Sequence, residues 1–186
     1  EGERLTARGQ KMAALGNDPR LAAMLVAAQG DDEIATAAKL AAILEEPPRG
    51  GSSDLGQAFS RSQGNWQQRA QQLCKRLNSR GGVPDSDKIA FLLAQAFPDR
   101  IARRRGLDGR YQLANGMGAM LDSDDALTRH EWLIAPLLLQ GSHSPDARIL
   151  QAIAVEIDAL TRACPQLLQQ SDTVEWDDAQ GTLKAF

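Results

Sequence analysis

The sequence predicts an α+β protein, with an all-helical bundle in its first half and a small β-barrel in its second half. Three observations lead to this prediction. Apolar residues recur at helical spacing, with capping signals, as far as residue 96. Beyond residue 109, short apolar runs alternate with turn residues, and Asn115-Gly116 is a strong hairpin signal. Alanine and leucine are abundant while aromatic residues make up only 4%, which favours helix packing over a large sandwich.

The helical half is expected to contain six helices. Thr6 is a candidate cap for the first, and Asp18 followed by Pro19 marks the start of the second. The last helix is capped by Ser86 or Asp85, and Pro98 ends it. In the fifth helix, a stripe of Trp66, Ala70, Leu73 and Leu77 indicates a buried face. The predicted helices cover residues 5–15, 19–29, 31–46, 54–62, 65–78 and 86–97.

The barrel half is expected to begin after a short basic turn at residues 99–104. Asn115-Gly116 predicts a type I′ turn, which requires positive φ at both central residues. Residues 122–125 are expected to form a polar turn. The strand count and one helix match a small Greek-key barrel, although other small α+β layouts fit the same pattern. Strands are predicted at residues 110–114, 117–121, 132–139, 147–155, 174–176 and 182–186, and the helix at residues 156–164.

These predictions divide the chain into two domains, a helical domain at residues 1–105 and a barrel domain at residues 106–186. The chain begins at Glu1 without a methionine and ends at Phe186 within an apolar run. We therefore expect it to be a fragment and its barrel domain to be truncated.

The densest positive charge of the chain lies at the joint between the two halves. Only Asp99 and Asp108 oppose it locally, in a chain of net charge -3. Such a cluster is a candidate contact for a polyanion. The competing interpretation is a solvated face, or arginines that pair with carboxylates elsewhere in the fold. We expect most of these residues to contact phosphate and at least one to be a structural ion-pair partner. The cluster comprises Arg100, Arg103, Arg104, Arg105 and Arg110.

Aromatic residues that could stack on bases are scarce. Tyr111 and Trp132 are the two in the first strands of the predicted barrel. Apolar residues flank Trp132, so we expect it in the core, and we expect backbone contacts to outweigh stacking.

Motifs for catalysis, cofactors and metals are absent from the sequence. It contains no P-loop and no GxSxG elbow. His130-Glu131 begins like a zinc-protease helix, but Ile134 occupies the position of the second histidine. The two cysteines, Cys74 and Cys164, and the two histidines lack metal-ligand spacing. No catalytic residue, cofactor site or metal site is therefore predicted. The cysteine usage and the lack of a membrane span or signal peptide favour the cytoplasm, with no membrane partner.

Two parts of the sequence carry a family resemblance. Residues 5–25, LTARGQKMAALGNDPRLAAML, resemble the DEAH-box helicases at the end of their winged helix and the start of their helicase-associated region. Gly16 departs from the pattern, because a proline is common there. The segments FPDRIARRRG, GRYQLANGMGAML and VEWDDAQGTLKAF, at residues 97–106, 109–121 and 174–186, resemble the bacterial HrpB branch of that family.

The resemblance implies an ATP-dependent RNA helicase whose RecA-like motor lobes lie upstream and bind ATP and magnesium. The helical domain would then be the end of a winged helix plus a ratchet-like bundle, and the barrel would be OB-like. Both would close over single-stranded RNA, or single-stranded DNA. The alternative is a structural or protein-interaction module that docks on the motor lobes or on a partner without contacting nucleic acid.

Overall fold

The computed structural model describes residues 5–16, 18–61, 64–106, 108–141 and 144–168, and the backbone of residues 174–177 and 182–185. Helices come first and a closed five-stranded barrel follows, so the predicted α+β class is confirmed. Within these ranges, no helix combines the length and the hydropathy needed to cross a membrane.

The helices begin where the capping residues predict. The Thr6 hydroxyl accepts a hydrogen bond from the Gly9 amide at 3.1 Å, and the Asp18 carboxylate accepts one from the Arg20 amide at 2.9 Å. Of the two candidate caps for the last helix, Asp85 serves, at the start of a single 3₁₀ turn. The helices are α1 (Ala7–Leu15), α2 (Pro19–Ala27), α3 (Gly30–Glu45), α4 (Leu55–Ser60), α5 (Gly64–Arg76) and α6 (Ile89–Ala96).

Helix α3 is the centre of the helical bundle. Its alanines at positions 37, 38, 41 and 42 are buried, and small side chains allow the neighbouring helices to approach closely. On α5, Trp66 and Leu73 are buried as the stripe predicts. The indole nitrogen of Trp66 donates to the Glu46 carbonyl at 2.9 Å, which fixes the end of α3 to the start of α5.

The barrel closes in the order β1-β2-β3-β5-β4, with β1 paired to β4, as expected for an OB-like barrel. All pairs are antiparallel except β3 with β5. A 3₁₀ helix at Ala126–Arg129 connects β3 to β4. The strands are β1 (Ile101–Arg104), β2 (Arg110–Leu113), β3 (Gly118–Met120), β4 (Trp132–Leu139) and β5 (Ala147–Ala154).

The predicted turn at residues 99–104 is wrong, because β1 occupies most of it. Pro98–Arg100 forms one 3₁₀ turn and Ile101 begins the strand. Ala102 pairs with Leu113 on one side and Leu133 on the other. Pairing on both edges outweighs the helical propensity of the alanine and arginines. The barrel therefore begins before the predicted domain division after residue 105.

The hairpin at Asn115-Gly116 is present, but its turn is not type I′. Among the described non-glycine residues, only Asn78 has a positive φ, so Asn115 does not meet the type I′ requirement. The Gly116 amide donates to the Leu113 carbonyl at 2.9 Å, and the Leu113 amide donates to the Met117 carbonyl at 2.8 Å. With Gly116 at φ 85°, this is a three-residue loop closed by a left-handed glycine.

The last predicted elements lie outside the barrel. Helix α7 (Ile157–Ala163) follows β5 and packs on α6. Strands β6 (Val174–Asp177) and β7 (Thr182–Ala185) pair with each other in a separate two-stranded sheet. The turn of that hairpin is predicted at residues 177–181; Asp177 belongs to β6, and residues 178–181 lie outside the described residues.

The two halves pack through alternate residues of the barrel strands. Ala102 and Leu133 point into the barrel, whereas Ile101, Ile134 and Ile153 pack with the helical core. Successive side chains of a strand face opposite sides, so one part of the outer barrel surface is covered by helices. Arg103 of β1 and the polar residues of β2, Arg110 and Gln112, remain exposed on the rest of that surface.

Candidate nucleic-acid interface

Arg103 of the predicted cluster lies on the outer face of β1. Ala102 points into the barrel, so Arg103 points outward, with 65% of its side chain exposed. Its register partners are Gln112 on β2 and Trp132 on β4. The guanidinium lies 5.4 Å from the centre of the Trp132 ring, and Nε is 3.3 Å from the Glu131 carboxylate.

Arg105 and Arg110 lie side by side, because the Arg105 amide donates to the Arg110 carbonyl at 2.7 Å. The Arg110 side chain is 53% exposed and its Nε is 3.0 Å from Asp108, itself 61% exposed. Arg105 is exposed, and its guanidinium has no hydrogen-bond or ion-pair partner in the described part of the chain. These two guanidinium groups and that of Arg103 are available to a ligand on the surface of the barrel.

Arg100 and Arg104 have structural contacts. The Nη1 atom of Arg104 lies 3.1 Å from the Thr128 carbonyl and 3.3 Å from the Arg129 carbonyl, so it holds the 3₁₀ helix against β1. Arg100 lies 3.4 Å from Asp99 and is only 26% exposed. Both guanidinium groups are therefore largely engaged within the protein.

Asp99 also binds Arg20 from the first turn of α2, in a two-pronged pair. The Nη2 atom of Arg20 lies 3.0 Å from Oδ2, and Nη1 bonds to the other carboxylate oxygen. The Arg20 guanidinium is also 5.4 Å from the ring centre of Phe97. The hydrogen bond from Arg20, with a smaller effect of Arg100, lowers the pKa of Asp99, and the same bond raises the pKa of Arg20. This pair fixes the turn that precedes β1.

The core position predicted for Trp132 is wrong, and the buried aromatic residue of these strands is Tyr111. Tyr111 is fully buried, and its hydroxyl lies 3.0 Å from the Leu127 carbonyl and 2.9 Å from the His130 carbonyl. Burial raises the pKa of Tyr111 and prevents it from stacking on a base. Trp132, expected in the core, is only half-buried and lies beside Arg103 on the outer face. The candidate interface therefore includes one accessible aromatic ring that the sequence did not indicate.

Neither cysteine forms a disulfide: Cys74 is half-buried and Cys164 is buried. In the ranges that the structure describes, no three histidine, cysteine, aspartate or glutamate side chains converge to hold a metal ion. The groups described at the candidate interface are arginine cations, one indole ring and the exposed carboxylates of Glu131 and Asp108.

A helical bundle followed by an OB-like barrel is the fold class that the DEAH-box resemblance implies. No family model matches the chain. Over all 186 residues it is 80% identical to the ATP-dependent RNA helicase HrpB of Escherichia coli strain K12, and it spans 23% of that protein.

Solved structures agree with this similarity. The chain superposes over its whole length on a crystal structure of the E. coli DExH-box NTPase HrpB, with a TM-score of 0.93 and 80% identity. It also superposes on a crystal structure of the E. coli DEAH/RHA helicase HrpB, with a TM-score of 0.90 and 74% identity. It covers 23% of each of those chains. The resemblance to HrpB-type helicases is therefore confirmed, for a chain that spans about a quarter of their length.

Proposed function

We propose that this chain is the accessory nucleic-acid-gripping region of an HrpB-like ATP-dependent RNA helicase. In this proposal it holds the backbone of single-stranded RNA while RecA-like lobes elsewhere in a longer protein hydrolyse ATP with magnesium. Single-stranded DNA is the other ligand that the same backbone contacts would fit. The 80% identity to HrpB supports the parent activity, and the two free cysteines fit a reducing cytoplasmic compartment.

The observation that carries the proposal is the exposure of three guanidinium groups, those of Arg103, Arg105 and Arg110, on the open surface of the barrel. Guanidinium groups bind phosphate oxygens in a bidentate manner without reading the base. A motor that moves along any sequence needs that indifference to base identity. Trp132 beside Arg103 adds a surface on which one base can stack.

The carboxylates near these arginines do not prevent phosphate binding. Glu131 and Asp108 are 56% and 61% exposed, and exposed ion pairs contribute little to stability, on the order of 0–1 kcal/mol. A phosphate with a tighter bidentate geometry can replace them. Arg100 and Arg104 would instead support the interface by holding the turn and the 3₁₀ helix in place.

The test replaces Arg103, Arg105 and Arg110 together by glutamate. We expect weaker binding of a fluorescent oligouridylate, measured by anisotropy across a salt series. Loss of three phosphate contacts should flatten the log–log salt slope by about two units, at about 0.7 per contact. The matched control reverses Arg8, Arg61 and Arg162, which are exposed and have no ion-pair partner among the described residues. An unchanged slope in the barrel variant would contradict the assignment.

A second candidate, a protein-interaction module, is favoured by the internal contacts of Arg100 and Arg104 and by the carboxylates beside Arg103 and Arg110. Under this alternative, the helical bundle docks on the motor lobes and no residue touches nucleic acid. Binding of the chain to isolated motor lobes, with no oligonucleotide binding at low salt, would establish the alternative and exclude the proposal.

A further inference from the structure

A groove of about 630 Å³ lies on the helical bundle, away from the arginine cluster of the barrel. Helices α3 and α5 form its walls, and the linker at residues 79–84 forms one edge. Its volume is in the range of small-ligand sites. We call it the cation groove, because three cations line it: Lys39, Lys75 and Arg80.

No ion pair compensates the charge of the cation groove within the described residues. No carboxylate lines it in the described part of the chain. Lys39, Lys75 and Arg80 take part in none of the ion pairs found among the described residues, although the whole chain has a net charge of -3. The remaining polar lining includes the neutral amides of Gln67 and Gln71, which can bond to phosphate and sugar oxygens.

Two carboxylates near the linker are already engaged. Asp31 accepts from the Ser79 hydroxyl at 2.6 Å and from the Arg80 amide at 3.1 Å. These bonds, with a smaller effect of the Arg80 charge, lower the pKa of Asp31. Asp32 accepts from the Val83 amide at 2.8 Å. They hold the linker to the start of α3 and leave the Arg80 guanidinium without an ion pair to Asp31 within the described residues.

The edge of the groove is fixed rather than adaptable. A side chain at Gly82 would meet the backbone of Asp31 and Asp32 within 2.4–2.6 Å, so the linker packs directly on α3. At the other side, the Lys39 ammonium lies 4.5 Å from the centre of the Phe59 ring, and burial lowers the pKa of Lys39. A bound anion would favour the charged form of this lysine.

We propose that the cation groove is a second phosphate-binding site, which takes the backbone of single-stranded nucleic acid independently of the barrel arginines. The identity of this polyanion rests on the proposed function. No aromatic side chain lines the groove in the described residues, so the contact is with phosphate and sugar rather than with stacked bases. The groove and the barrel then grip two separate positions of one strand.

Cys74 provides a reporter inside the groove. It lines the groove and is half-buried, while Cys164, the other cysteine of the chain, is fully buried. We would follow alkylation of each thiol by iodoacetamide with mass spectrometry, with and without oligouridylate. At an oligouridylate concentration of about ten times the Kd, about a tenth of the molecules keep an empty groove. The alkylation rate of Cys74 should therefore fall up to about tenfold.

Charge reversal at the groove should abolish this protection. In Lys75→Glu/Arg80→Glu, each residue exposed, we expect the oligouridylate to leave the Cys74 rate unchanged and the salt slope to flatten by about 1.4 units. The control Arg8→Glu/Arg162→Glu changes the net charge equally and should retain protection. Each variant is compared with its own rate without oligouridylate, and Cys164 alkylation monitors unfolding.

The outcomes separate the two sites. No protection of Cys74 in the wild-type chain would overturn the groove assignment, and anisotropy would still decide the proposed function at the barrel. Equal loss of protection in both double variants would mean a general charge effect and would also overturn it. Protection that survives reversal of Arg103, Arg105 and Arg110 but not of the groove cations would establish two independent sites.

Discussion

The arginine cluster of the barrel and the cation groove of the helical bundle differ in how their charge is compensated. Four of the five cluster arginines have a carboxylate or carbonyl partner nearby, and only Arg105 has none in the described part of the chain. The groove brings together cations from two separate parts of the sequence, and none is ion-paired among the described residues. The density of charge along a chain is therefore a poor measure of the charge available in space.

The largest effect in this comparison is expected on removal of Arg104, the cluster arginine that bonds to two backbone carbonyls. Arg104→Ala removes hydrogen bonds to two carbonyl groups at the 3₁₀ helix, and we expect the free energy of unfolding to fall by about 2 kcal/mol. Urea denaturation measures it. The control Arg103→Ala, at a 65% exposed side chain, should change it by less than about 0.5 kcal/mol. Equal effects of the two changes would contradict the division of the cluster.

A smaller effect is expected at Asp99, which compensates Arg20 and Arg100. Because its pKa is lowered from the ordinary 3.8, the carboxylate stabilises the fold above that pH. This stabilisation is lost as the pH falls through the folded pKa. We expect Asp99→Asn to reduce the free energy of unfolding by about 1 kcal/mol at pH 7, since both side chains are partly exposed.

Denaturation at a series of pH values tests the direction in which the stabilisation by Asp99 changes with pH. The difference between wild type and Asp99→Asn should shrink as the pH falls below about 4. The control Asp108→Asn, at an exposed carboxylate paired with Arg110, should show little difference at any pH. A constant difference from pH 7 to pH 2 would mean that the carboxylate charge is not the cause.

A still smaller change should appear in nucleic-acid affinity when a compensating charge is removed from the barrel. Glu131→Gln removes the carboxylate beside Arg103, and we expect oligouridylate affinity to rise about twofold to threefold at low salt. Asp122→Asn frees Arg148 on β5 and changes the net charge equally, and it should leave the affinity nearly unchanged. An equal rise in both variants would show that only net charge matters.

The smallest expected effect concerns the reporter thiol of the groove. Burial is the main cause that raises the pKa of Cys74. Its alkylation rate should therefore reach half of its maximum at a higher pH than that of a free cysteine in a short peptide. A midpoint at or below the peptide value would mean that the neighbouring cations dominate the thiol, which would make the groove more positive than we infer.

Much of the fold could be predicted from the sequence because its signals are local. Caps such as Thr6 and Asp18 and the apolar stripe of α5 depend on neighbours within a few residues. Strand β1 could not be predicted in this way, since IARR has no strand signal and is extended only because β2 and β4 pair with it.

The position of Tyr111 could have been predicted from the sequence, whereas the position of Trp132 could not. Arg110 and Gln112 alternate with Tyr111 and Leu113, and this alternation places Tyr111 inside the barrel. In β4, by contrast, WLIAPLLL is apolar throughout, so its sequence does not tell which residues face outward. Only the register with Arg103 places Trp132 on the surface.

The sequence could show the arginine cluster but could not show how its members are compensated. Glu131 and Thr128 lie between β3 and β4 and approach the arginines only when β4 pairs with β1. The cation groove was missed for the same reason. Lys39 is distant in the sequence from Lys75 and Arg80, and it meets them only when α3 and α5 pack together.

The Arg20–Asp99 pair bears on how chains of this kind can diverge. The pair joins DPRL at residues 18–21 to FPDR at residues 97–100, two segments that also carry the family resemblance. A change at either position breaks this two-pronged pair, so descendants should tend to alter both positions together. A swapped pair, Arg20→Asp with Asp99→Arg, should tolerate the exchange better than either single change.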